Sequence, residues 1–520
     1  MKKVALLLFS AIIMAACSFF DVDVTDFVSP ESSYENDEQV YMALVGVYAP
    51  LGDLSFYGRD WFHAFNLQDD LSFYDRNYVR QELFLNNFTY ENATLNNLWA
   101  NLYSGVDRAN SFLEHIVSAE IDEETARTYI GEVRFLRAYY YFILSSLWGD
   151  VPLKVSSTRS VDYSKLSMAA SPASDVFDFI IKEMEYSVNL VKPADELNGP
   201  GRISRTTVAG ILSRVYLKTA GFPLNRGKQA YEMASFWGRK VMDSNLHQLN
   251  PDYVQLFKNL SEDKYDLTYR ENLWEIEFKG NNQDGHKTGG FVGSYNGVYN
   301  NQTDSYGFGY GFVSCTLKLW DLYDDSSDVR KDWNICQYYY RNGVKTYRNL
   351  AGNQYVYCNA GKFRREYEVT GSKDKDYTPL NFPVLRYADV LLMVAEAENE
   401  AYDGPTELAY RCLNTVRHRA SQSYPDVTGL DKAQFRQLVR DERGRELCFE
   451  CLRKQDLIRW GIYVEEMTTG RTAQVADSRW HVNKAYAGYI ANYTEFRHNW
   501  YPVPSKELAT NKKMRQNEYW

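Results

Sequence analysis

Apolar residues crowd first at the amino end. Val4 to Ala16 is an almost unbroken apolar run behind Lys2 and Lys3, and Met14-Ala15-Ala16 leads into Cys17. The run is too short for a stable helix to cross a bilayer of about 30 Å, and its layout is that of a secretory signal. Residues 18–35 carry few periodic apolar positions. They include Asp21, Asp23, Asp26 and Ser29-Pro30-Glu31, and they read as a tether. Helical spacing starts near Asp37, with Val40, Ala43, Leu44 and Val47 on one face. It recurs at 95–116 and at 125–148, where Gly149-Asp150-Val151-Pro152 stops the helix. Further helices are expected at 171–192, 204–220, 227–244, 386–402, 405–420, 431–447 and 448–462. Between Asp53 and Tyr90 the chain is loop-like and aromatic-rich. From 280 to 312 glycines alternate with aromatics, which excludes a long helix and favours sharp turns. Short strands are expected at 273–279 and 335–340.

Two helix pairs share a layout. Tyr387 to Ala420 is a helix-turn-helix about 34 residues long, the length of a tetratricopeptide repeat. Its first helix sets Tyr387, Val390, Leu391, Val394 and Ala397 on one side, while Ala388 and Ala395 leave room for a neighbour. Residues 204–244 look similar. The repeat consensus is loose, so the reading is of the repeat class and not of a regular array.

Composition narrows the function. The 520 residues are ample for a large core. Without Lys2 and Lys3, 56 basic against 68 acidic residues leave a net charge of −12. An acidic surface argues against nucleic acid and against a polybasic grip on anionic lipid. Aromatics are 15% of the chain, with 42 Tyr and 11 Trp, side chains that suit semi-polar ligands as well as packed cores. Six cysteines follow Cys17: Cys315, Cys336, Cys358, Cys412, Cys448 and Cys451. Export permits disulfides, and spacing cannot choose among the pairings. Cys448-x-x-Cys451, on an expected helix, lacks a second ligand pair for zinc and the βα context of a thioredoxin site. Glu442, Glu446 and Glu450 recur every four residues on one helix face. Interleaved with Arg443, Arg445, Arg453 and Arg459, they read as a structural ion-pair network and not as the acid and base of a glycosidase. Glu450–Arg453 and Asp456–Arg459 have ion-pair spacing. Asp324, Asp325 and Asp328 read as a helix-terminal charge cluster, with calcium as the alternative. No G-x-S-x-G, H-E-x-x-H or P-loop occurs, and His286 and His498 stand alone.

Several segments carry a resemblance. Met14-Ala15-Ala16-Cys17 resembles the lipobox of bacterial lipoproteins, which implies signal cleavage after residue 16 and a lipid on Cys17. The chain then holds Arg134-Phe-Leu-Arg-Ala-Tyr-Tyr-Tyr-Phe through Leu147-Trp-Gly-Asp-Val-Pro-Leu153. Arg386-Tyr-Ala-Asp-Val-Leu-Leu-Met-Val-Ala-Glu-Ala-Glu-Asn399 and Leu413-Asn-Thr-Val-Arg-His-Arg-Ala420 follow. Next come Glu442-Arg-Gly-Arg-Glu-Leu-Cys-Phe-Glu450 with Arg453 and Asp456-Leu-Ile-Arg-Trp-Gly461, then Tyr501-Pro-Val-Pro-Ser-Lys-Glu-Leu508 with Gln516-Asn517. In this order they resemble the SusD/RagB family of outer-membrane lipoproteins over nearly the whole mature chain. One departure is Glu450-Cys451-Leu452-Arg453, where the family commonly has Glu-Gly-His-Arg.

The resemblance implies a mainly α fold: a tetratricopeptide-like helical scaffold with loop-rich, Gly/aromatic-rich insertions and few short strands. It divides the chain into a signal peptide (1–16), the lipidated Cys17 and tether (17–35), an amino-terminal helical region (36–270) and a carboxy-terminal region with ligand-binding loops (271–520). It implies a surface protein, lipid-anchored in the outer membrane, that captures oligosaccharides and hands them to a SusC-like TonB-dependent barrel. No catalysis and no cofactor are implied. The alternatives are the same lid capturing peptides and, further off, a surface glycoside hydrolase. Sugar rings stack on aromatic faces, so the candidate ligand contacts lie in the aromatic loops. Trp61, Asp69, Asp70, Tyr74 and Arg76, with Phe73 and Tyr78, form the first group. Tyr295, Tyr299, Asn301, Tyr306 and Tyr310, with Asn300, form the second, and Trp99 is added by family position.

Overall fold

The periodic apolar segments fold as helices, in a computed structural model that describes residues 34–64, 67–76, 82–158, 167–280, 288–350, 357–370, 372–480 and 483–520. The signal, Cys17, most of the tether, Tyr78 and His286 lie outside the described residues. In chain order the main helices are α1 (Asp37–Tyr48), α2 (Ala93–His115), α3 (Glu123–Trp148), α4 (Ala173–Ser187), α5 (Arg205–Ala220), α6 (Lys228–Asp243) and α7 (Tyr253–Ser261). Then come α8 (Tyr387–Ala401), α9 (Glu407–Ala420), α10 (Lys432–Leu447) and α11 (Arg453–Arg459). No described helix is long and apolar enough to cross a membrane.

Helix α3 is the spine of the amino-terminal half. Asp122 caps it by accepting from the Thr125 amide, and Glu123 and Glu124 complement the positive end of its dipole. From Phe135 to Trp148 every residue is buried, the pattern of a helix covered on all sides. The tyrosines in this stretch bury their rings and spend their hydroxyls locally: Tyr140 donates to the Val47 carbonyl and Tyr141 to that of Lys154. Helices α5, α6, α8 and α9 stack in succession, each against the next. A Cβ at Gly238 would lie 2.4 Å from the Val394 side chain, so glycine there lets α6 and α8 approach closely. Ala395 is buried with Ala409, Cys412 and Leu413 at the α8–α9 contact.

The strands are short. β1 (Ser72–Tyr74), β3 (Val313–Cys315), β7 (Asn359–Ala360) and β4 (Ile335–Cys336) make one antiparallel sheet in the order β1-β3-β7-β4. β2 (Asn272–Ile276) pairs with β8 (Phe382–Arg386), and β5 (Tyr338–Arg341) with β6 (Val344–Tyr347) across an Asn342-Gly343 turn.

A buried ionic network locks the carboxy-terminal half. Arg330 donates to Asp328, Glu442 and Glu446, and Arg386 to Glu271, Glu446 and Glu450. Arg419 adds bonds to Glu271 and Glu446. The Glu442 and Glu446 side chains are fully buried, and that of Glu450 nearly so. A second network joins Arg214, Asp389, Arg443, Asp456, Arg459 and Glu396. Buried carboxylates persist in the charged form only when paired in this way.

Three expectations need correction. The helix expected at 448–462 is only α11, because Phe449 and Cys451 take left-handed backbone (φ 63° and 60°) and the C-x-x-C lies on a turn. That turn also removes the i,i+3 geometry of Glu450–Arg453. Glu450 pairs with Lys362 and Arg386, and Arg453 with Asp70, while Asp456–Arg459 does form at 2.8 Å. Asp328 is taken by Arg330 inside the core. The six cysteines from Cys315 to Cys451 are buried thiols, and burial pushes that of Cys448 up to about 11.

Candidate ligand-binding site

Two loops 240 residues apart in sequence meet through one strand pairing. β1 and β3 set Phe73 opposite Ser314 and Tyr74 opposite Val313, and the Asp75 amide extends the ladder to the Phe312 carbonyl at 2.8 Å. Arg76 is thereby delivered to the glycine-rich loop. Its Nη2 donates to the Tyr310 carbonyl at 2.6 Å and Nη1 to its neighbour's, the Asp75 carbonyl, leaving the guanidinium 5.5 Å from the Phe312 ring centre. The loop can turn here because Gly311 adopts φ 57°, and a Cβ on it would lie 2.7 Å from Tyr299.

The result is a platform of half-buried rings. Tyr310 stacks on Phe312 (centroids 4.6 Å apart) and meets Tyr295 and Phe308 edge-on at 5.1 and 4.9 Å. Tyr295 also packs on Phe291, which packs on Tyr377 at 4.9 Å. Polar groups ring the platform. The Tyr310 hydroxyl donates to Asp376 at 2.7 Å; burial and that carboxylate raise its pKa, so the phenol stays protonated. Lys375 is exposed and lies over Phe308 and Tyr310, and Arg59 over Phe291. Burial raises the Asp75 carboxyl to about 6. Flat apolar faces beside a guanidinium, an ammonium and a carboxylate suit a ligand with apolar ring faces and hydroxyl edges.

Arg76, Tyr295 and Tyr310 of the sequence candidates belong to this platform. Tyr74 lies beneath it, 8% exposed, stacked on Phe84 at 4.2 Å and supporting Phe312. Four candidates are buried and present no surface to a ligand. Trp61 packs with Phe56 and Tyr57, and Trp99 packs edge-on to Trp148 between α2 and α3. Asp69 accepts from the amides of Leu71 and Ser72, bracing the entry to β1, and burial raises it to about 6. Asp70 bonds both nitrogens of the Arg453 fork and Lys318. Those cations outweigh its burial and hold the carboxyl below the usual range. Phe73 is also buried, against Trp480. The remaining candidates pack on the β5–β6 hairpin instead. Tyr306 stacks on Tyr340 at 4.1 Å, Tyr299 lies by Tyr339, and Asn301 bonds Asn342 in both directions. Asn300 is buried, bonded to Asp304 and Gly307. Sequence reasoning missed Phe312, Tyr377, Lys375, Asp376 and Arg59. The only available signal was the Lys373-Asp-Lys-Asp-Tyr377 run, whose approach to the loop depends on the fold.

Residues 270–520 match the model of the SusD family, and residues 28–217 match a second family model described as "Starch-binding associating with outer membrane". SusD-like protein P2 of Formosa agariphila is 26% identical over 468 residues, 86% of this chain and 88% of that one. The crystal structure of a SusD homolog from Bacteroides thetaiotaomicron superposes with a TM-score of 0.86 at 30% identity, over 95% of this chain and 99% of that one. Surface glycan-binding protein A from Bacteroides thetaiotaomicron, in complex with laminarihexaose, shares the fold at a TM-score of 0.71 and 21% identity, over 92% of this chain and 99% of that one. Stacked helix pairs, an ion-locked carboxy-terminal half and a solved relative aligned almost end to end agree on one assignment: the chain belongs to the SusD family.

Proposed function

We propose that this chain is a cell-surface lipoprotein, held in the outer membrane by lipid on Cys17, that captures oligosaccharides and passes them to a SusC-like TonB-dependent transporter without breaking a bond in them. The observation that carries the reading is the Tyr295–Tyr310–Phe312 platform with Arg76 at its rim. Sugar rings stack their C–H faces on such rings, and hydroxyls bond the flanking Arg76, Lys375 and Asp376. A carrier must also release its cargo, and a half-exposed platform without a closed cavity fits modest affinity. The named relatives support it: one is a surface glycan-binding protein in complex with laminarihexaose, and one matching family model is described as starch-binding and outer-membrane-associating. The carboxylate row Glu442, Glu446 and Glu450 is buried and ion-paired, so it offers no cleft in which a glycosidic bond could sit between acid and base.

Affinity electrophoresis tests the reading. Retardation in gels cast with one of starch, laminarin, xylan or mannan, reduced by Tyr310→Ala and by Tyr295→Ala, is expected. Free migration in every gel, or equal retardation of the variants, would overturn it.

A further inference from the structure

An open groove of about 800 Å³ runs between helix α1 and strand β2. Its volume is in the range of small-molecule sites, which occupy roughly 300–1,000 Å³. One wall is the outer face of α1, where Tyr41 and Val45 stay 42% and 41% exposed. The other is formed by Ile276 and Phe278, at and just beyond the end of β2. Exposed apolar side chains opposite a buried apolar strand make a slot, not a flat surface.

The groove is continuous with the platform. Tyr377 lines it and also packs on Phe291, which packs on Tyr295. The turn carrying Asp53 and Leu54 lines it too, and the same turn leads to Arg59 over Phe291. Phe291 itself is buried beneath Arg59, so a ligand leaving Tyr295 crosses Arg59, meets Tyr377 next, and beyond it the slot.

Two further observations say what the slot suits. Trp274 lines it, and its buried indole N–H has no hydrogen-bond partner among the described residues. Such a donor costs stability unless an acceptor reaches it. The charge in the slot is acidic. Asp53 and Glu277 line it, and the Arg202 guanidinium is spent on Glu132, with Nε at 2.7 Å. Lys279 is the remaining cation among the described lining residues. Chains of uronate or sulfate would be repelled there.

We propose that this groove is the second length of the binding track and takes the part of a neutral oligosaccharide that runs beyond the aromatic platform. The proposal rests on the capture reading above. It makes affinity depend on chain length and places that dependence on α1, remote from the platform rings.

Calorimetry with trisaccharides and heptasaccharides of the malto-, laminari-, cello- and xylo- series tests it, with oligogalacturonides of the same lengths as the charged comparison. The neutral heptasaccharide that binds is expected to bind at least tenfold tighter than its trisaccharide, and the galacturonide to show no such gain. Val45→Trp, which sets a ring into the slot from an exposed helix position, is expected to erase the gain and leave trisaccharide binding unchanged. Tyr41→Ala is expected to reduce the gain. Met42→Trp, exposed on the same helix but outside the groove, is expected to keep it. Silence from every sugar overturns the capture reading itself. Equal affinity at both lengths, or a gain that survives Val45→Trp, overturns only the groove.

Discussion

Glu446→Gln separates a structural role for the buried carboxylates from a catalytic one. The Glu446 carboxylate accepts from Arg386 at 3.0 Å and Arg419 at 2.6 Å on one oxygen, and from Arg330 at 3.0 Å on the other. Glutamine keeps the shape, removes the charge and turns an amide N–H₂ toward at least one guanidinium. Breaking a buried ion pair costs about 3–5 kcal/mol. Each of the three arginines retains another carboxylate: Glu271 and Glu450 for Arg386, Glu271 for Arg419, and Asp328 and Glu442 for Arg330. The lower end, about 3 kcal/mol, is therefore expected. Urea unfolding followed by tryptophan fluorescence reads it directly. The loss also has a defined pH course. Burial alone would raise the Glu446 pKa, but Arg419, Arg386, Arg330 and Lys362 outweigh it and hold the carboxyl below its usual 4.5. A depressed carboxyl contributes stability that is present above 4.5 and lost as the pH falls toward the folded value. Wild type and variant should thus differ most at neutral pH and converge in acid, while sugar affinity of the folded variant stays unchanged. Equal stability at pH 7 would refute the network, and loss of binding with full stability would make Glu446 part of a site.

Tyr310→Ala should weaken oligosaccharide binding by about 1–2 kcal/mol, roughly 5- to 30-fold in Kd, and Tyr310→Phe by less, since only the bond to Asp376 is lost. Titration calorimetry checks both. Asp70→Asn should cost about 3 kcal/mol in urea unfolding, because the Arg453 fork and Lys318 lose their buried counter-charge. Glu275 is raised from 4.5 to about 7, chiefly by burial. Its contribution is full below pH 4.5 and is lost as the pH rises through 7, about 3 kcal/mol across the window. Glu275→Gln should remove that slope from a stability–pH profile, and an unchanged slope would contradict the assignment.

The helical scaffold was legible because its apolar spacing is regular and its ends carry ordinary signals, such as the Asp122 cap and Gly149 after α3. The error at 448–462 has a physical origin. Periodicity continues through Phe449 and Leu452, yet Phe449 and Cys451 are held in left-handed backbone in the core, and Phe449 gives its carbonyl to the Asn296 side chain. The platform was half legible. A loop too rich in glycine to be helical pointed to Tyr295 and Tyr310. Aromatic density alone does not separate a binding ring from a packed one, so it points to Trp61, and family position points to Trp99, although both serve the core. Adjacent carboxylates carry the same ambiguity: Asp69 and Asp70 read as hydroxyl acceptors but brace the scaffold. Tyr377, Lys375 and Asp376 reach the platform through long-range contacts such as those of Gly290 with Thr378 and of Ser294 with Asp376. No local pattern reports such a meeting.

Calorimetric titration of the purified protein with neutral oligosaccharides, with chromatography of the sugar recovered from the cell, tests capture without cleavage most directly. Saturable heat for at least one series, sugar recovered intact, and no heat with Tyr295→Ala/Tyr310→Ala is the expected result. Shortened sugar in the recovered sample, or heat that the double variant retains, would contradict a binding platform at Tyr295 and Tyr310.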